Sequence, residues 1–144
     1  PALTTPKAVE IFEKHGVFTA AELESRAEVL YENYSKTINI EALTMIDMAK
    51  KQIIPACIKY QTSLAESVNS IKAANPAVDT SVQASLMAAI SENLKAMYEA
   101  LAELEEVTYT AESMEEGADQ GHYYHDVRFA AMDALRAPAD KLEM

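Results

Sequence analysis

Residues 36–61 read KTINIEALTMIDMAKKQIIPACIKYQ. Ile46, Ile53 and Cys57 in this stretch begin an apolar stripe that continues through Leu64, Val68 and Ile71, flanked by Ile54 and Ile58. Such returns after three, four or seven residues place side chains on one face of an α-helix, and no clean two-residue alternation competes with them. The spacing predicts one long helix from Ile40 to about Ala74, which at ~1.5 Å per residue spans about 50 Å. Pro55 lies inside it, removes one ladder hydrogen bond and crowds the carbonyl of Lys51. A kink is expected there, with the ring flanked by Ile54 and Cys57 on the buried side. Asn75–Pro76 ends the helix, because a residue before proline is pushed towards extended geometry.

Towards the C-terminus, Thr80 and Gln83 have the spacing of a capping box and open a second long helix. Val82, Leu86, Ile90, Leu94, Met97, Leu101 and Leu104 form its stripe, while Glu92, Lys95, Glu99, Glu103 and Glu106 occupy other faces. Residues 115–121 are polar, hold two of the 3 glycines, and read as a loop. A last helix begins near Gln120–Tyr123 and runs through Val127, Ala131 and Leu135. Pro138 is expected to bend or break it, leaving Ala139–Met144 as a last turn or short helix that ends in mid-element.

Towards the N-terminus, Thr5 precedes Pro6, which suits a first helical position because its missing N–H would be unpaired there anyway. That helix carries Val9 and Phe12 and closes at Gly16, with Val17 placed over Phe12 in a Schellman arrangement. Thr19 and Glu22 form a second capping box, stapled by Phe18 and Leu23. Leu23, Ala27, Leu30 and Tyr34 share one face, and the Ser35–Asn39 stretch reads as a break. The expectation is an all-α bundle on two long antiparallel helices, with a short N-terminal helix pair and a C-terminal helix.

Composition limits what such a bundle can do. At 144 residues, one domain over 1–144 is the simplest organisation. Hydrophobic residues make up 49% and charged residues 24%, a globular balance. The net charge of −11 repels nucleic-acid phosphates and anionic membranes, and Lys50–Lys51 is the only adjacent basic pair. There is no membrane-length apolar run and no signal-peptide pattern, so a cytoplasmic location is expected. Cys57 is the single cysteine, which excludes an internal disulfide and zinc-type cysteine spacing.

Few residues are candidates for chemistry. His122, His125 and Asp126 fall at i, i+3 and i+4, where two imidazoles and a carboxylate share a helix face, a spacing from which they could meet one metal ion. A bundle di-metal site needs Glu-x-x-His on two helices. Phe12 stands three residues before His15, and Asp119 three before His122, so neither copy exists. The simpler reading is a polar helix start rich in His and Tyr. Cys57 sits on the apolar stripe as a small hydrophobe. Glu103, Glu105, Glu106, Glu112, Glu115 and Glu116 lack the ligand alternation and central glycine of a calcium loop. Phosphate loops, nucleophile elbows and HExxH are absent. Met45, Met48, Met87 and Tyr98 lie off the main stripes, which predicts an apolar docking patch along the long helices.

The segment TPKAVEIFEKHGVFTAAELESRAEVLYENYSKTINIEALTMIDMAKKQIIPACIKYQ, together with ALRAPADKLEM near the end, resembles the C-terminal helical domain of type III glutamine synthetase. The resemblance runs through the whole chain, and KTINIEAL and IKYQ carry it most specifically. It implies a parent enzyme that ligates ammonia to glutamate with ATP and a divalent metal (Mg or Mn) in a double-ring oligomer. By the same resemblance the catalytic residues belong to an upstream domain, so no catalytic or cofactor-binding residue is expected in this chain. Its partners would be that catalytic domain and neighbouring subunits. The family's aromatic- and proline-rich tail does not follow Met144, which makes an excised piece the expectation. The alternative is a free-standing bundle that binds a metal or small ligand through His122, His125 and Asp126.

Overall fold

The first helix, α1 (Pro6–Lys14), starts as its sequence dictates: the Thr5 side chain accepts from the Ala8 N–H, and Pro6 takes the first position. It stops in a Schellman motif, in which Gly16 (φ 63°) lets the Gly16 and Val17 amides reach the carbonyls of Glu13 and Phe12 at 3.0 Å. The ring next to Phe12 is Phe18, at 5.8 Å between centroids, and Val17 stays exposed. The computed structural model describes residues 2–115 and 117–143, and all regular structure among them is helical.

Helix α2 (Ala20–Met48) opens on the expected capping box, with the Thr19 N–H donating to Glu22 Oε2 at 2.8 Å. It does not break at Ser35–Asn39. Ser35 and Ile38 are buried, and the Thr37 hydroxyl returns its hydrogen bond to the Asn33 carbonyl inside the helix at 2.9 Å. Burial against neighbouring helices outweighs the weak propensity of that stretch. The second member of the expected short pair is therefore fused to the long helix.

One wide π turn, Ala49–Ile53, joins α2 to α3 (Ile54–Ala74) without interruption. The Ile54 N–H reaches the Ala49 carbonyl, five residues back, just before Pro55. The proline then occupies the first turn of the ladder that follows, where its missing N–H costs little. Its ring is exposed, and Ile54 and Cys57 beside it are half-buried, so the expected buried side is only partial. Asn75 is extended (φ −152°), which ends α3 as predicted.

Helix α4 (Ser81–Glu112) is antiparallel to α3. The predicted Thr80–Gln83 box does not form. Asp79 instead takes the free Ser81 N–H on Oδ1 and the Ser81 hydroxyl on Oδ2, both at 2.9 Å. Ile90, Met97, Leu101 and Leu104 form the buried face, while Val82 at the helix start is exposed.

The loop is shorter than expected. Helix α5 (Ala118–Tyr123) begins before the predicted start, and Gly121 lies buried within it. Glu116 and Met144 lie outside the described residues. A second π turn, Tyr124–Arg128, leads into α6 (Phe129–Leu142), which packs along α4. Pro138 neither bends the chain away nor breaks the helix. It is buried with Leu135, and the Ala134 carbonyl that loses its partner lies on an exposed residue, open to solvent. The main core joins Ile38, Ala42 and Ala49 to Met97, Leu101, Leu104, Tyr124, Ala131, Met132 and Leu135.

Candidate functional site

The three candidate ligands sit where α5 passes into α6, opposite the middle of α2. His122 lies against the Tyr31 ring, at 5.8 Å between centroids, and His125 against Tyr34, at 6.5 Å. His125 Nδ1 pairs with Asp126 Oδ1 at 2.7 Å, and both side chains are largely exposed. The structure thus brings together two of the three residues. Among the described residues, no group of three His, Cys, Asp or Glu side chains is placed to hold a metal ion.

The same turn carries a residue that sequence reasoning passed over. Arg128 is fully buried, whereas the predicted stripe residue Val127 is exposed. The five-residue turn changes which side chain faces α4. The guanidinium carbon of Arg128 stands 4.7 Å from the centre of the Tyr124 ring. None of its three nitrogens meets hydrogen-bond geometry with the described residues. Burial pushes its pKa down, against the pull of Tyr124 and Glu112. The sequence signal was spacing: Tyr124, Arg128, Ala131, Leu135 and Pro138 return every four and three residues.

Unpaired polar atoms gather around this layer. Ser35 Oγ and Asn39 Oδ1 on α2 and Thr108 Oγ1 on α4 are buried without a partner among the described residues. Ser35, Asn39, Glu112, Gln120 and Tyr124 line a cleft of about 270 Å³. Gln120 closes one side by donating to the Ala111 carbonyl at 3.1 Å. Buried polar groups are rarely left unpaired, so the layer is a place for ordered water.

Cys57 is half-buried and burial pushes its thiol pKa up, which suits the small-hydrophobe reading rather than a nucleophile. The four residues of the expected patch divide. Met45 packs against the core and Met87 is half-buried, while Met48 and Tyr98 are 43% and 66% exposed. Ile58, Tyr60 and Val82 add to the exposed apolar surface of α3 and α4. No helix among the described residues is long and apolar enough to cross a membrane.

Comparison with known proteins follows the same helices. The model of the glutamine synthetase C-terminal domain family matches residues 1–72, half of the chain. A glutamine synthetase of Butyrivibrio fibrisolvens is 33% identical over 143 residues, covering 99% of this chain and 20% of that protein. A type-3 glutamine synthetase of Dictyostelium discoideum is 41% identical over 69 residues, covering 48% of this chain and 9% of that protein. A glutamine synthetase of Bacteroides fragilis is 26% identical over 142 residues, covering 96% of this chain and 19% of that protein. The chain thus spans at most about a fifth of the length of these curated relatives. It belongs to the glutamine synthetase C-terminal domain family.

Proposed function

We propose that residues 1–144 form one assembly domain of a type III glutamine synthetase. The chemistry, ATP-dependent ligation of ammonia to glutamate with Mg or Mn, belongs to a catalytic domain elsewhere in the polypeptide. This domain contributes surface, not reacting groups. The observation that carries the reading is the exposed apolar surface of α3 and α4 in a chain of this family. With it, Met48 at the end of α2 and Tyr98 on α4 stand 43% and 66% exposed, as residues awaiting a second neighbour do. The partners are the catalytic domain and adjacent subunits, and the cytoplasm is the compartment.

Two measurements test this. The isolated chain should form no glutamine from glutamate, ammonia and ATP, and turnover by a preparation free of host enzyme refutes the assignment. In the complete polypeptide, Met48→Glu combined with Tyr98→Glu should reduce the sedimentation coefficient of the assembled enzyme. An unchanged assembly would remove the docking role.

A further inference from the structure

Exposed hydroxyls on these helices turn back onto their own ladder. Thr37, Thr44, Thr62 and Thr110 each donate to the carbonyl four residues earlier, at 2.7–3.0 Å. Ser35 on α2 and Thr108 on α4 make no such bond, although both are only 5% exposed. A buried hydroxyl that leaves the carbonyl one turn away unused is turned towards something else. Ser35 lines the cleft between α2, the end of α4 and the turn after α5, as does Asn39, whose Oδ1 is also unpaired. Thr108 stands one turn before Glu112 on the same face of α4. Behind this wall lies Arg128, fully buried and without a hydrogen bond among the described residues. Its guanidinium rests on the Tyr124 ring, and that ring and Glu112, both of which act on its charge, line the cleft. A buried unpaired guanidinium costs stability, which a bound charge of opposite sign would offset.

Charge selects the occupant. A plain anion entering the cleft passes Glu32 and Glu112 on a protein of net charge −11, and a plain cation meets the buried guanidinium. Lys36 engages Glu32, whereas Glu112 makes no hydrogen bond or ion pair among the described residues. The unsatisfied groups thus comprise donors, Arg128 and the Ser35 hydroxyl, and acceptors, Glu112 and Asn39 Oδ1. A small zwitterion that has both a carboxylate and N–H groups meets both sets, and an α-amino acid carries the two on one carbon. We propose that the cleft binds a free α-amino acid, its carboxylate facing Arg128 and Ser35 and its ammonium facing Glu112 and Asn39. The volume of about 270 Å³ leaves room for a side chain. The ligand takes the place of the ordered water that otherwise occupies this layer. Because the cleft joins α2, α4 and the turn after α5, an occupant ties the three together. This site does not depend on the assembly role.

Isothermal titration calorimetry of the 144-residue chain with each common α-amino acid, to about 20 mM, tests the site. At least one should bind saturably, with a dissociation constant below about 1 mM. Arg128→Met should weaken that binding at least about 100-fold, and Glu112→Gln, at an exposed position, about 10-fold. Acetate supplies the carboxylate alone, and N,N,N-trimethylglycine supplies both charges without an N–H. Each should bind at least about 10-fold more weakly than the amino acid. Circular dichroism shows whether both variants keep their helices. If no amino acid binds, the cleft holds water only and the inference is overturned. Binding that neither substitution weakens also overturns it, as does acetate or trimethylglycine binding as tightly as the amino acid.

Discussion

Gly121 of α5 packs so closely on Tyr31 of α2 that a β-carbon added to it would lie 2.6 Å from Tyr31 Cδ1. Cδ1 is close to the ring's root, and the ring is also held against His122, so it has little freedom to withdraw. Gly121→Ala gains about 1 kcal/mol of helix propensity but incurs an overpacking cost of about 1–3 kcal/mol. A net loss is expected, read as a Tm several degrees lower. Truncating the obstacle in Gly121→Ala/Tyr31→Ala should make the alanine harmless or favourable relative to Tyr31→Ala alone. If the alanine costs as much with the ring absent, close approach is not the reason for the glycine.

Arg128 should be replaceable. A buried charge without hydrogen bonds is costly, and an apolar side chain of similar shape removes that cost. Arg128→Met is expected to be neutral or to stabilise by about 1–4 kcal/mol, while Arg128→Ala leaves a void and destabilises. Denaturant midpoints of the two variants measure this. A lower midpoint for the methionine would mean that the guanidinium has partners in solution, water among them.

Acid should loosen the start of α2. The Thr19 backbone N–H, and after it the Thr19 hydroxyl, holds the Glu22 carboxyl below its ordinary value of 4.5. A carboxylate with a depressed folded pKa contributes stability that is present above its unfolded pKa and lost as pH falls through the folded one. The contribution should therefore fade below about pH 4.5, and Glu22→Gln should remove that part of the pH dependence. Comparing Tm against pH for the two chains decides it. Parallel curves would mean that the capping box does not titrate with folding.

Zinc should not bind at the His125–Asp126 pair with His122 as third ligand. Added zinc is expected to leave Tm unchanged. A saturable rise that disappears in His125→Ala would establish a metal site there.

Local chemistry in the sequence identified the helix starts and stops whose partners lie within a turn. Thr5–Pro6, Gly16 and the Thr19–Glu22 box needed nothing from the rest of the fold. The misreadings arose where distant packing decides. Ser35–Asn39 has break-like composition, but Ser35 and Ile38 face the core, and burial keeps the helix going. Pro138 persists inside α6 because its buried side packs with Leu135 while its orphaned carbonyl lies at the surface. The Thr80 box does not form, and Asp79, one residue earlier, caps the helix start through the Ser81 N–H and hydroxyl instead. At the candidate site, the His–Tyr-rich turn was legible as a polar helix start. Arg128 was not, since a charged residue on a buried stripe violates the rule by which stripes are read.

The π turn at Ala49–Ile53 fixes the phase between the two arms of the long helix. Ala42 and Ala49 are seven residues apart, as are Cys57, Leu64 and Ile71, but Ala49 and Cys57 are separated by eight. The extra residue is taken up in the one turn that closes five residues back. Removing a residue from 50–53 would leave an unbroken heptad and an ordinary α-helix, with the apolar faces of both arms still pointing the same way. Removing one between 58 and 63 would rotate the rest of α3 by about 100°. The direction in which the apolar face of α3 points is therefore set by the length of the chain on either side of this turn.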